Sequence, residues 1–318
     1  MKNVKIAVLD SATLGEDLDL SALKDYGEFF AYKTTAPEEV CDHLKDAEVA
    51  LINKVKMNEK TLAGNDSLKL ICIAATGFDN VDLDYCKKKG IAVCNVAGYS
   101  TESVAQLTAA MALYLSTNIY DFTEHVRSGE YTKGGVANKL TPVYHEISGK
   151  TWGIVGYGNI GKKVGDVARA LGCKVLAFKK TPATDVECVD LKTLCAQSDI
   201  ISVHLPLNDS TRGIISSELI SSMKKDAILI NVARGAVCDE AAVAKAIKDG
   251  KIAGLGCDVY SSEPFPETHP FNEIKEYRNV CLTPHMAWGS YEARKRCLNE
   301  ICMNIRSFYE GGNRSRLV

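Results

Sequence analysis

From residue 151 to residue 178 the chain reads as a strand, a glycine turn, a helix and a second strand. No other segment limits its possible folds as tightly. The turn is Gly153-Ile154-Val155-Gly156-Tyr157-Gly158-Asn159-Ile160-Gly161-Lys162, with Gly156, Gly158 and Gly161 spaced as G-x-G-x-x-G. Alone, the string is a glycine-rich turn; between the strand and helix of a βαβ unit it has the context a dinucleotide site requires. There Gly156 permits a tight turn, Gly158 lets the backbone approach a pyrophosphate, and Gly161 lets helix and strand pack closely. The amides of Asn159 and Ile160 then point at the phosphates. An acidic residue usually grips the adenosine ribose about 20 residues further on. Here the second strand runs instead into Lys179-Lys180. Two readings stand: solvated lysines at a strand end, or a cationic pocket for the ribose 2′-phosphate of NADP. The cofactor is therefore expected to be NAD or NADP, with NADPH use suspected.

The same alternation runs along the chain. Strands at 5–9, 28–32, 49–52, 68–74 and 91–95 are separated by helical stretches such as 37–44 and 83–89. A long amphipathic helix is expected over 100–128, ending at Gly129, then a polar loop over 131–146. A second series follows, with strands at 151–155, 174–178, 200–204, 227–232, 252–259 and 280–283. Helices at 160–171, 191–196, 217–223 and 240–248 lie between them, and a last helix spans 290–310. Strands separated by helices in this way imply βαβ units. The expected fold is α/β, with two doubly wound parallel-sheet domains, the larger a Rossmann dinucleotide-binding domain.

Composition narrows the function classes. The 318 residues suit two domains at roughly 150 residues each. Lys plus Arg is 38 against 40 Asp plus Glu, a net charge of −2 with no basic block, which leaves no footprint for nucleic acid or an anionic membrane. Apolar runs such as 109–115 fall short of a membrane span. The run from Met1 to Asp10 reads as a strand already in progress, without the features of a signal peptide, so a cytoplasmic protein is expected. The 12 cysteines, dispersed from Cys41 to Cys302 without C-x-x-C spacing, read as inert buried thiols rather than disulfides or zinc ligands. No metal site is expected.

Three segments at the carboxyl ends of strands carry chemistry, where open α/β sheets bind ligands. They are Asn231-Val232-Ala233-Arg234-Gly235, Asp258-Val259-Tyr260-Ser261-Ser262-Glu263-Pro264 and Thr283-Pro284-His285-Met286-Ala287-Trp288. Hydride transfer to a 2-keto acid needs what they supply. Arg234 can hold the carboxylate and keto oxygen with its fork of donors. His285 can hand a proton to the carbonyl oxygen. Glu263, paired with His285, would favour the imidazolium and fix its orientation. Singly, a helix-capping arginine, a surface glutamate and a satisfied histidine are the simpler readings; all three behind a fingerprint loop are not.

With these motifs the chain resembles the D-isomer-specific 2-hydroxyacid dehydrogenases over nearly its whole length. The matching residues are Gly156 to Gly161, His204-Leu205-Pro206-Leu207 with Thr211-Arg212-Gly213, Met223-Lys224, Asn231 to Gly235, Asp258-Val259, Glu263-Pro264 and Thr283-Pro284-His285. The resemblance implies that Arg234, Glu263 and His285 are catalytic. It implies that the dinucleotide also meets His204, Pro206, Thr211, Val232, Ala233, Arg234 and His285, with Asp258 at the nicotinamide carboxamide. It implies that the loop Ala75-Thr76-Gly77-Phe78-Asp79-Asn80 cradles the substrate carboxylate, chiefly through Thr76, Gly77 and Phe78, beside Arg234 and His285. A substrate-binding domain over 1–99, completed by a C-terminal segment 286–318, and a dinucleotide-binding domain over 100–285 are implied as well. So is a homodimer through the 100–128 helix. Lys179 departs from the family, where many relatives carry Asp.

Within the family, Ile52-Asn53-Lys54-Val55 and the run from His285 to Arg294 look most like glycerate dehydrogenases, that is, hydroxypyruvate reductases. The expected reaction moves a hydride between a nicotinamide dinucleotide and a small 2-keto or D-2-hydroxy acid: hydroxypyruvate and D-glycerate, or glyoxylate. A D-lactate-type or bulkier keto-acid reductase is the nearest alternative. Glu263 disfavours formate dehydrogenase, which lacks it. A dinucleotide-sensing protein without turnover, like the corepressors of this fold, is the alternative from another class. Those carry long tails or docking grooves, and this sequence stops at Val318 soon after its last helix.

Overall fold

Most strands of this chain are apolar at nearly every position, as sheets covered on both faces require. The computed structural model describes residues 4–181 and 183–318. Among them the chain begins with β1 (Val4–Val8), β2 (Gly27–Ala31), α1 (Val40–His43), β3 (Val49–Ile52), β4 (Leu70–Ile73), α2 (Leu83–Lys89) and β5 (Ala92–Cys94). It continues with α3 (Thr101–Ser116), α4 (Ile119–Arg127), α5 (Glu130–Lys133), β6 (Thr151–Val155), α6 (Asn159–Ala170), β7 (Lys174–Phe178) and β8 (Glu187–Cys188). Next come α7 (Leu191–Gln197), β9 (Ile200–Val203), α8 (Ser217–Ser222), β10 (Ile228–Asn231) and α9 (Glu240–Lys248). Last are β11 (Gly254–Cys257), β12 (Val280–Leu282) and α10 (Tyr291–Tyr309). Two units result, residues 1–100 with 289–318, and residues 101–288.

The first unit holds a parallel sheet in the order β2-β1-β3-β4-β5. The order reverses between β1 and β3, and a crevice opens at the carboxyl ends of strands at such a switch point. Asp10 follows β1 there and Asn53 and Lys54 follow β3. Helix α10 returns the chain to this unit and packs on β4. Its first turn is capped by Ser290, and Arg294 holds it to Asp17 with paired bonds of 2.6 and 2.8 Å.

The second unit holds a parallel sheet in the order β12-β11-β10-β9-β6-β7-β8. Its switch point lies between β6 and β9, so the glycine turn after β6 meets the chain leaving β9. Helix α3 buries Val104, Ala105, Met111, Ala112 and Leu115 against Trp152, Ile154, Ile228 and Ile230 on one face of the sheet. The α/β fold with two parallel sheets is as the sequence predicts.

Some elements differ from expectation. The helix expected over 100–128 is two helices, because Asn118 takes a left-handed conformation at φ +50° and turns the chain between α3 and α4. Asparagine enters that region more readily than other side chains, and an apolar stripe on each half hides the break. The stretch expected as a helix over 37–44 narrows to α1, and the polar loop expected over 131–146 begins inside α5. The two-residue edge strand β8 carries no sequence signal. Residues 1–3 of the expected N-terminal strand lie outside the described residues. All 12 cysteines are free, and burial pushes thiols such as Cys86 and Cys195 up to about 11, far from reactive thiolates. Among the described residues no helix is long and apolar enough to cross a membrane, and no group of three His, Cys, Asp or Glu side chains is placed to hold a metal.

Candidate active site

The three fingerprint glycines meet different constraints. Gly156 sits at φ +100°, and a Cβ there would come within 3.0 Å of the His204 backbone and the Leu205 side chain. A Cβ on Gly161 would lie 2.2 Å from the Gly156 carbonyl oxygen, so the helix closes on the turn only with glycine there. Gly158 has nothing within 4 Å of its Cβ position, and no side chain caps the start of α6 behind it. An uncapped helix N-terminus over open space is where a diphosphate binds. Asn159 and Ile160 form the first turn of α6.

His204 adds a buried imidazole at the same switch point. Trp152 Nε1 donates to Ser202 Oγ at 2.9 Å, and Ser202 Oγ lies 3.0 Å from His204 Nε2. Burial pushes this histidine down to about 3, which keeps it neutral. Nδ1 is closed off from solvent without a partner among the described residues, a buried polar atom left for a ligand to meet. These features fit a bound dinucleotide. Further along, Thr211 Oγ1 donates to the Pro206 carbonyl at 2.6 Å and shapes the loop after β9. Lys179 and Lys180 follow β7, both exposed.

Loops after β10, β11 and β12 carry Arg234, then Asp258 and Glu263, then His285. Asn231, buried at the end of β10, accepts from Ala233 N at 3.0 Å and donates to the Arg234 carbonyl at 3.0 Å. This folds Val232-Ala233-Arg234 into a tight loop, and Arg234 also bonds the Ala233 carbonyl at 2.8 Å. After β11, Asp258 is fully buried. Its carboxylate accepts from Thr283 Oγ1 at 2.5 Å, Met286 N at 2.8 Å and Ala287 N at 2.9 Å. Burial raises its pKa against the pull of these bonds. Its visible work is to hold the Thr283–Ala287 turn in shape, where resemblance alone suggests a nicotinamide contact.

That turn presents His285, at φ +54°, a region sparsely occupied outside glycine. Its amide donates to Thr283 O at 3.0 Å and its carbonyl accepts from Trp288 Nε1 at 3.0 Å. Its Nδ1 lies 2.5 Å from Glu263 Oε2. The structure thus joins Glu263 and His285, 22 residues apart in the chain. A carboxylate on Nδ1 fixes the ring's orientation and leaves Nε2 as the nitrogen not engaged by Glu263.

In the first unit, the backbone of Thr76-Gly77-Phe78 leaves β4, and none of these three amides donates a hydrogen bond among the described residues. Thr76 Oγ1 donates to Val96 O at 2.9 Å and Asn95 Nδ2 to Thr76 O at 2.7 Å. Asn80 Nδ2 donates to Val55 O at 2.9 Å, tying this loop to the turn after β3. Three successive amides without partners suit a carboxylate. Asp10, which sequence reading missed, organises the same end of the sheet. Its carboxylate is 4% exposed and accepts the amides of Asn53, Lys54 and Val55 at 2.9, 2.5 and 3.2 Å. Burial raises its pKa while those amides lower it.

Comparison with known proteins accords with this geometry. The family model for the NAD-binding domain of D-isomer specific 2-hydroxyacid dehydrogenases matches residues 109–287. The glycerate dehydrogenase of Methylorubrum extorquens is 38% identical over 308 residues, 96% of each chain. Among solved structures, the D-lactate dehydrogenase of Aquifex aeolicus with NAD and lactic acid is similar at a TM-score of 0.83 and 32% identity, covering 96% of both chains. An acyclic imino acid reductase with NADPH and D-Arg is similar at a TM-score of 0.86 and 29% identity, covering 99% of this chain and 100% of the other.

Proposed function

Because the chain belongs to the D-isomer-specific 2-hydroxyacid dehydrogenase family, we propose that it reduces hydroxypyruvate to D-glycerate, with glyoxylate as a second substrate. The observation that carries the reaction type is the Glu263–His285 pair. A bound nicotinamide dinucleotide supplies the hydride. Arg234 would hold the substrate's carboxylate and carbonyl oxygen with two prongs of its guanidinium. With Nδ1 engaged by Glu263, Nε2 of His285 is the nitrogen that would pass a proton to the carbonyl oxygen. The amides of Thr76, Gly77 and Phe78 would take the substrate carboxylate. The similarity to a glycerate dehydrogenase at 38% identity supports the choice of substrate. The test is a panel of hydroxypyruvate, glyoxylate, pyruvate and branched 2-keto acids. Hydroxypyruvate should give the highest kcat/KM, and a preference for pyruvate or a branched acid would overturn this substrate assignment.

For the dinucleotide, the proposal is that NADPH serves at least as well as NADH. Lys179 and Lys180 are exposed beside the ribose end of the fingerprint, and neither makes an ion pair among the described residues, whereas Lys162 is bound to Asp185 at 2.7 Å. Lysine cannot accept from the ribose hydroxyls but attracts a 2′-phosphate. Replacing Lys179 by aspartate should move kcat/KM towards NADH. A wild type that strongly prefers NADH and is unmoved by the substitution would show that the lysines face only water.

A homodimer also follows as a proposal. Helix α4 buries no side chain, and Ile119, Val126, Val136, Leu140 and Val143 are exposed along 119–143. Apolar surface of that extent needs a partner. Twelve free thiols suit a reducing compartment, and we place the protein in the cytoplasm.

A further inference from the structure

The peptide between Tyr260 and Ser261 is where the catalytic loops of the second unit are brought into register. A Cβ on Gly235, the residue after Arg234, would lie 2.0 Å from the Tyr260 carbonyl carbon and 2.2 Å from Ser261 N, so the arginine loop rests directly on this peptide. Tyr260 N donates to Glu263 Oε1 at 3.0 Å, the carboxylate whose other oxygen meets His285. Tyr260 OH donates to Thr283 O at 2.8 Å, two residues before His285. Burial raises the tyrosine's pKa, which keeps its hydroxyl a donor.

A second carboxylate grips the same peptide from behind. Ser261 N donates to Glu240 Oε1 at 2.9 Å, and Glu240 Oε2 lies 3.1 Å from His269 Nε2. The two side chains are 10% and 4% exposed. His269 Nδ1 accepts from Phe271 N at 3.2 Å. A backbone N–H can only donate, so the proton of His269 sits on Nε2, aimed at Glu240. The rings of Phe265 and Phe271 stand 4.9 and 5.0 Å from the imidazole and close it in.

We propose that Glu240, oriented by His269, is a positioning residue for the reaction: it fixes the Tyr260–Ser261 peptide and so sets Glu263 and His285 against Arg234. The proposal rests on the assignment of those three residues above. Glu240 receives two donors, Ser261 N–H and His269 Nε2–H. A glutamine offers one oxygen and one NH2 in the same space, so Glu240→Gln sets donor against donor on one side. At position 269, glutamine reaches Glu240 with a donor but gives up the bond to Phe271 N. Asparagine can keep the bond to Phe271 N but falls short of Glu240.

The test measures kcat, KM for hydroxypyruvate, NADH affinity and Tm for wild type, Glu240→Gln, His269→Gln and His269→Asn. Glu240→Gln and His269→Asn should lower kcat by roughly tenfold to a hundredfold, the effect of small misplacements at a reacting centre, with NADH affinity within about twofold. His269→Gln should recover most of that loss. Equal losses in both His269 variants, an unchanged kcat in Glu240→Gln, or a loss confined to NADH affinity and Tm would overturn the proposal. Imidazole 15N spectra of the coenzyme-free protein test it without turnover. A proton on His269 Nε2 supports it and one on Nδ1 overturns it, whichever keto acid the enzyme accepts.

Discussion

His285→Ala is expected to lower kcat for hydroxypyruvate reduction by roughly 10²–10⁴, the usual worth of a positioned general acid. NADH affinity should fall far less than kcat, because the fingerprint turn and the start of α6, where the diphosphate would bind, belong to other loops of the sheet. The variant removes both the proposed proton donor and the partner of Glu263, which is 2.5 Å away. Turnover within tenfold of wild type would mean that the proton comes from elsewhere and that the histidine only fills the turn. Stopped-flow oxidation of NADH at saturating keto acid measures the chemical step apart from product release.

Arg234→Lys should raise KM for the keto acid and lower kcat together. A guanidinium makes two directed bonds where an ammonium is a point charge, and a lost bond to a charged group is worth about 1.5–3 kcal/mol. That corresponds to a fall in kcat/KM of roughly ten- to a hundredfold. An arginine that served only to hold its loop, through the bond to the Ala233 carbonyl, would instead show reduced Tm with near-normal turnover in the folded fraction.

The α/β alternation and the glycine spacing were legible in the sequence because both are local. A strand declares itself within five residues, and Gly156 at φ +100° announces itself by being glycine. The Glu263–His285 pair was legible only in part. Glu263 and His285 stood out by type and by their places after strands and were expected to pair; which atoms meet, Nδ1 and Oε2, had to come from the fold. The parts that were not legible depend on distant partners. Asp10 looks like a solvated charge at a strand end, yet its carboxylate is buried on amides 43 to 45 residues away. His269 and Glu240 lie 29 residues apart with no motif around either, and neither signals that Glu240 joins His269 to the Ser261 amide. Asn118 breaks a helix through its backbone angle, which an uninterrupted apolar stripe does not reveal.

The most direct test of the central claim is chiral analysis of the product formed from hydroxypyruvate with NADH and with NADPH. The account predicts D-glycerate, one per dinucleotide oxidised, with the yield abolished in step with kcat in His285→Ala. Dinucleotide binding without oxidation by any 2-keto acid, or formation of L-glycerate, would contradict it.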